Sequence, residues 1–472
     1  MAFSIHNGNK TMKPDIKWIG EKIHTFFGEA VHPIAHQTQF VRRASRLDGL
    51  TFLKVFVFGF IENPHASLNG LAQVCLDLGV EITPQGLDER INAYSVDFLK
   101  TIFAQAIEMF QNSLPLPLPI LQQFTAIHIV DSTVKELPDC LMNEYPGCGG
   151  AGGQAGLKIQ LVFEFLRGNL EQVVLQAGRA ADQGFRDYLT LVKAGSLTIA
   201  DLGYFSLDAF NAILEKNAYF LARYLNPTAL FTLDGERINL LNLLQIVPDG
   251  KIDASILAGT KKEHHIPCRL IAFRVSQSVA DRRRAIARKK AKGRGTLPKK
   301  EYLEILGWTI FLTNVSEQML SVEQITLLYR VRWQIELVFK LWKSYAGINQ
   351  NAKWRGTRVL TEIFAKMIGI VLTHFLIAPL RMPEGAWTNR EISSVQVRKI
   401  FARFVRLLNQ IVNNLHDLVL LLDDMFQQIL RFGFKQKRRK KPNVCHALAL
   451  ESFVFDLQTQ NAHQLNDVLS LC

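Results

Sequence analysis

Four side chains in the second half of the chain, Tyr329, Arg332, Glu336 and Lys343, stand at offsets of 0, 3, 7 and 14 residues. At about 100° of helix rotation per residue, these offsets fall within roughly 60° of one another. The spacing predicts one long helix over residues 321–345 with all four groups on one face. The opposite face carries Val331, Ile335, Val338, Leu341 and Trp342, an apolar stripe suited to burial. The polar face offers a phenol, a carboxylate and two cations, with Trp333 beside them. A lone carboxylate among cations suits a metal-and-phosphate site. An amphipathic helix held by pairs such as Glu336 with Lys340 accounts for the same residues without any chemistry.

Two aspartates shift the balance. Residues 124–130, FTAIHIV, read as a strand that ends directly in Asp131-Ser132-Thr133, and SLTIA at 196–200 reads as a strand ending in Asp201-Leu202-Gly203-Tyr204. In open α/β sheets, ligand and metal groups collect at strand ends. Two Asp and one Glu brought together there could hold two divalent cations, and all-oxygen ligands suit Mg²⁺ or Mn²⁺. Such a pair activates a water or a 3′-hydroxyl and stabilises the leaving oxygen of an in-line attack at phosphorus. Neighbouring Arg and Lys would fix the phosphate, Arg with a planar fork. Asp182 and Glu164 lie close by in sequence and compete as acids of the site. The histidines are scattered, and no GxxxxGK[ST] loop is present to hold ATP.

These residues need a scaffold, and the sequence outlines one of α/β class. Residues 1–120 read as a helical domain. Within it, Ser67 can cap one helix and Thr83-Pro84 can start another across Leu78-Gly79, a helix-turn-helix in outline. Gln85, Asp88, Glu89 and Arg90 would then open the second helix. Residues 121–224 alternate strands and helices: the strand before Asp131, a hairpin of 157–165 with LEQVVLQAG, a helix over 183–194, SLTIA, a helix over 207–216 and a strand over 218–224. Residues 225–320 differ in character, with β-type runs at 267–275 and 307–315. The helix with Glu336 and an apolar helix follow in 321–385, and 386–472 reads as helical.

The chain has 472 residues and a net charge of +13, which inclines it toward polyanions. Residues 282–300, RRRAIARKKAKGRGTLPKK, hold ten Lys or Arg and no acid. A solvated loop would look the same, but this concentration of the excess charge points to a phosphate-binding strip that includes Arg288, Lys289 and Lys290. A second basic run, KQKRRKK, covers 435–441. The six cysteines are dispersed, without zinc spacing or a disulfide framework, as expected of a cytoplasmic protein. The start lacks the apolar core of a secretion signal. The longest apolar run, 367–380, is short for a membrane span.

Tyr-x2-Arg-x3-Glu-x6-Lys, met by Tyr329, Arg332, Glu336 and Lys343, resembles the signature of the insertion-sequence four family of bacterial DDE transposases. Strand-Asp-Ser-Thr at 131 and strand-Asp-Leu-Gly-Tyr-Phe at 201 are similar to that family's first two acid motifs, so the likeness spans about 124–345. The resemblance implies a ribonuclease-H-like catalytic core and makes 225–320 a β-rich insertion. It implies Asp131, Asp201 and Glu336 as catalytic ligands of two Mg²⁺ or Mn²⁺ ions. Tyr329, Arg332 and Lys343 would hold the DNA backbone near the cut. Family members that form hairpin ends trap a flipped base with tryptophan, and Trp308 or Trp333 would do so here; a buried core residue is the other reading of Trp308. The resemblance further implies cut-and-paste transposition at terminal inverted repeats and into target DNA, by a homodimer on paired ends, with no membrane partner. A stand-alone ribonuclease-H-like nuclease or resolvase, and a catalytically inactive DNA-binding descendant, stay open at this point.

Overall fold

The computed structural model describes residues 3–4, 13–150, 153–247, 250–259, 265–349, 355–381, 392–435 and 447–448. The chain forms two compact units. One comprises Met1–Leu121, Ser132–Ala180 and Trp333–Cys472; the other comprises Gln122–Asp131 and Ala181–Arg332. The elements used below are, in chain order, α1 (Gly49–Glu62), α2 (Leu68–Asp77), α3 (Pro84–Glu89), α4 (Ala93–Met109), β1 (Ile127–Leu137), β2 (Ala155–Glu164), β3 (Asn169–Ala177), β4 (Leu197–Ala200), α5 (Leu207–Glu215), β5 (Tyr219–Arg223), β6 (Leu230–Phe231), β7 (Lys251–Ala258), β8 (Ile266–Arg274), α6 (Gln277–Lys292), β9 (Trp308–Thr313), α7 (Val322–Tyr329), α8 (Trp333–Ser344), α9 (Gly356–Ile377), α10 (Ser394–Ile411) and α11 (Leu415–Phe432).

The first unit is helical around an aromatic core. Asp48 caps α1 by accepting from the Thr51 N–H at 2.7 Å. The helix then runs apolar on almost every side, which suits a buried position. Phe52 and Phe56 stack at 4.4 Å between centroids, and Phe40 stacks on Phe98 of α4 at 5.0 Å. The α2–α3 hairpin forms as the sequence predicts, with Ser67 and Thr83 as caps and Gly79 at φ +77° between the helices. Asp88 does not stand free on it, because Arg355 binds its carboxylate, and Arg90 donates to the Leu47 carbonyl at 3.2 Å while lying over the Phe40 ring. Helix α9 is long and apolar enough to cross a membrane by composition, but 83% of its most apolar window is buried inside the structure. Hairpin β2–β3 turns at Gly168, φ +77°. Strand β2 is buried on both faces and includes Lys158, Gln160 and Glu164.

The second unit holds a sheet in the order β1-β4-β5-β9-β8-β7-β6. Strands β1, β4 and β5 are parallel, in register Ile129–Ile199–Leu221, and the remaining pairings are antiparallel. The core joins Phe210 of α5 and Phe220 of β5, stacked at 4.3 Å, to Leu270, Ile310 and Leu312 of the antiparallel strands. The region read as an insertion therefore extends the sheet rather than leaving it.

Three expectations are corrected. Strand β1 does not end at Asp131; it continues to Leu137, because the alternating residues after Asp131 sustain a strand. Residues 183–194 do not form a helix but two short 3-10 turns, Asp182–Gly184 and Asp187–Thr190, since Gly184 and the Phe185-Arg186 step interrupt it. The helix over 321–345 is broken: α7 ends at Tyr329, a 3-10 turn covers Arg330–Arg332, and α8 starts at Trp333. A 3-10 turn advances about 120° per residue rather than 100°, so the single-face argument loses its phase between Tyr329 and Glu336. The basic stretch is also more ordered than a loop, since its first half lies in α6. Apart from Lys435, the second basic run lies outside the described residues.

Candidate active site

In the second unit, the parallel strands set the register of the site. Val130 pairs with Ala200, and Ala200 with Ala222. The next residues, Asp131, Asp201 and Arg223, therefore form one row across three strands spaced by about 4.8 Å. Each is half-buried. The pairing of β1 with β4 stops at this row, so Asp131 sits where the parallel ladder ends even though its own strand goes on. Asp201 leaves β4 in extended conformation and starts the 3-10 turn Leu202–Tyr204.

Tyr329 and Arg332 join this row from α7 and the turn after it. Arg332 donates from Nη1 to Oδ2 of Asp131 at 3.2 Å. The Tyr329 ring packs on Phe311 of β9 at 4.7 Å, and its hydroxyl is buried without a hydrogen-bond partner. Burial pushes that phenol up to about 12; the Asp201 charge adds to the rise, Arg332 and Arg223 oppose it, and Asp131 again adds. Both aspartates, both arginines and the phenol are thus within electrostatic reach of one another. The sequence reading missed Arg223. The signal that could have found it was the strand register, which places it level with Asp201.

Glu336 and Lys343 belong to the first unit, on α8. Both are half-buried, and burial lowers the Lys343 ammonium from its usual value. Trp333, at the start of α8, is 55% exposed. Among the described residues, no three His, Cys, Asp or Glu converge as a metal-ion cage; the acids brought side by side are Asp131 and Asp201.

Trp308 is 8% exposed within the core of the second unit, with the Arg274 guanidinium 5.1 Å above its ring. Packed in this way it serves as a core residue in this structure. On α6, Arg283 donates to the Trp308 carbonyl at 2.9 Å and Arg284 to the Leu303 carbonyl at 3.0 Å. Arg288, Lys289 and Lys290 face solvent. Of the competing acids, Glu164 is a fully buried turn group: it accepts from the Leu166 and Arg167 N–H groups at 2.9 and 2.7 Å. Asp182 packs beside the turn after Asp201, where a Cβ on Gly203 would come within 3.1 Å of its Oδ2. Glycine at 203 keeps that close approach.

Paired carboxylates flanked by guanidiniums at the end of a parallel ladder are chemically able to support phosphoryl transfer with divalent metal. The family described as Transposase DDE domain matches residues 122–372, which include all six motif residues. The chain is 27% identical over 439 residues to the transposase for insertion sequence element IS231F of Bacillus thuringiensis subsp. israelensis, covering 88% of this chain and 91% of that protein. It is 25% identical over 470 residues to that of IS231E from Bacillus thuringiensis subsp. finitimus, covering 94% and 97%. It is 25% identical over 471 residues to that of IS1151 from Clostridium perfringens, covering 94% and 98%. The chain belongs to the DDE transposase family and is a metal-dependent, DNA-cleaving transposase.

Proposed function

We propose that the protein excises and inserts its own insertion sequence by cut-and-paste chemistry at terminal inverted repeats, acting as a homodimer on paired ends. The observation that carries this reading is the row of Asp131 and Asp201 with Arg332 and the orphaned Tyr329 hydroxyl. A buried hydroxyl without a partner costs stability unless something binds it, and a DNA phosphate oxygen would accept its proton. The residues also fit a divalent metal, since the carboxylates are hard oxygen donors and no thiol or imidazole competes among the groups at the row. Asp131 and Asp201, with Glu336 as the third acid of the motif, would hold two Mg²⁺ or Mn²⁺ ions. When bound, these ions would supply activation of the attacking water or 3′-hydroxyl and stabilisation of the leaving oxygen.

The chain's own residues do the rest. Arg332 neutralises Asp131 until metal or DNA competes for it. Tyr329 donates to a backbone phosphate, and its raised pKa keeps it a donor throughout the physiological range. Lys343 adds a cation along the backbone, and Arg288, Lys289 and Lys290 of α6 engage phosphates farther from the cut. Trp333, exposed beside the catalytic acid in sequence, is the tryptophan available to stack on an extruded base. The core is read as ribonuclease-H-like because β4 pairs in parallel with β1 on one side and β5 on the other, and β2–β3 form an antiparallel hairpin.

The test uses linear DNA carrying the sequences that flank the gene, incubated with purified protein and Mn²⁺ and resolved on a denaturing gel. Nicks or hairpin-sized products at a repeat boundary, absent with Glu336→Gln, are the expected result. Binding without cutting would indicate an inactive descendant. Cuts without regard to sequence would indicate a general nuclease.

A further inference from the structure

Arg223 stands out among the charged groups of the second unit because nothing occupies it. It is half-buried at the last position of β5, with its backbone fixed between β4 and β9. Among the described residues, its guanidinium makes no hydrogen bond and no ion pair. Asp201 lies level with it on the adjacent strand, and the two still do not pair. The other arginines near it are engaged: Arg332 holds Asp131, and Arg283 donates to the Trp308 carbonyl and the Thr309 hydroxyl. Arg223 also lies close enough to Arg283 for its charge to lower that group's pKa, after burial. Two guanidiniums near one another, one without an acid, repel unless an anion joins them. A half-buried Arg offers five donors in a planar fork that fits phosphate.

We propose that Arg223 is a phosphate-binding residue of the active site, donating to a non-bridging oxygen of the DNA strand being cut. Its place in the row beside Asp201 sets it at the reacting phosphate rather than along the flanking backbone. The Tyr329 hydroxyl, also without a partner, faces the same charges, so one phosphate group can satisfy both. This assignment rests on the active-site reading above, and it adds a cation that the four-residue helix motif does not contain.

The experiment compares wild type, Arg223→Gln, Arg223→Lys and Asp201→Asn on the flanking-sequence duplex. Cutting is followed with Mn²⁺, and binding is followed by fluorescence anisotropy in EDTA across a salt series. Arg223→Gln is expected to cut roughly 100-fold more slowly, the loss seen when one donor to a reacting oxyanion is removed. Its slope of log affinity against log salt should shrink by about 1. Arg223→Lys should recover part of the rate, and the thermal midpoints of both should match wild type. An unchanged slope with an unchanged rate would overturn the assignment, as would a rate loss that follows a lowered midpoint and is not eased by lysine. If Asp201→Asn cuts as fast as wild type, the active-site reading fails instead, and the salt slope still decides whether Arg223 meets phosphate.

Discussion

The row of charged groups in the second unit differs from several buried charges of the first. In the first, three such charges are answered by groups of the same unit. Glu164 accepts two backbone N–H bonds, Arg358 pairs with Glu362 at 3.3 Å, and Lys366 donates to the Gly347 carbonyl at 3.2 Å. In the second, two carboxylates share one end of a ladder, a phenol is buried with no acceptor, and Arg223 has no acid. Satisfied buried charge specifies a fold, whereas unsatisfied buried charge must be maintained by the surrounding packing and marks a place where a ligand completes the set. Substitutions at these satisfied charges and at the row should therefore separate stability from activity.

The largest effect falls on the unsatisfied side. Asp201→Asn is expected to reduce cutting on the order of 10³-fold or more, because it removes a metal ligand and a charge at the reacting centre. It should not lower the thermal midpoint, since it relieves repulsion between neighbouring carboxylates. A midpoint that falls by several degrees would place Asp201 with the structural charges and erase the contrast. A smaller effect separates the two tryptophans. Trp308→Ala should cost about 3–5 kcal/mol in urea unfolding, as removal of a large buried aromatic does. Trp333→Ala should cost less than about 0.5 kcal/mol, as exposed positions do, while reducing hairpin-sized products on the gel. Equal stability losses would show that exposure does not distinguish them.

Much of this was readable in the sequence, and the failures have physical causes. Strand periodicity located Asp201 because β4 is short, buried and followed at once by a turn. The same reasoning ended β1 too early, because a strand that changes neighbours at Asp131 carries no local mark of the change. The helix motif was visible as spacing, but spacing assumes 100° per residue, and the 3-10 turn at Arg330–Arg332 breaks that assumption. Arg223 was invisible because nothing near it in sequence is unusual; only register across three strands brings it level with the acids. Trp308 shows the reverse case, a residue type suited to base stacking that the sheet packs in its core. Family resemblance offers the motif residues as a set without saying which unit holds each.

One charge in the first unit tests the comparison from the other side. Lys135, on β1, is lowered to about 7, chiefly by burial and then by the Lys366 charge, with Glu362 opposing. Its unfolded value is 10.5. Below about 7 both states hold the proton, and the cost of burying the ammonium is present in full. Between about 7 and 10.5 the unfolded chain binds a proton that the folded protein has released, so this group makes unfolding free energy rise with pH across that window. Lys135→Met should therefore stabilise the protein at pH 7 by on the order of 2 kcal/mol and remove that rise, read as the difference between variant and wild type in urea unfolding at pH 7 and pH 9. Cutting per folded molecule should stay within about twofold of wild type, because the charge serves no reacting group. If the variant is instead destabilised at both pH values, the contacts of the Lys135 side chain outweigh the cost of burying its charge. If it folds well and cuts poorly, a buried charge outside the motif is kept for function, and the contrast with the row fails there.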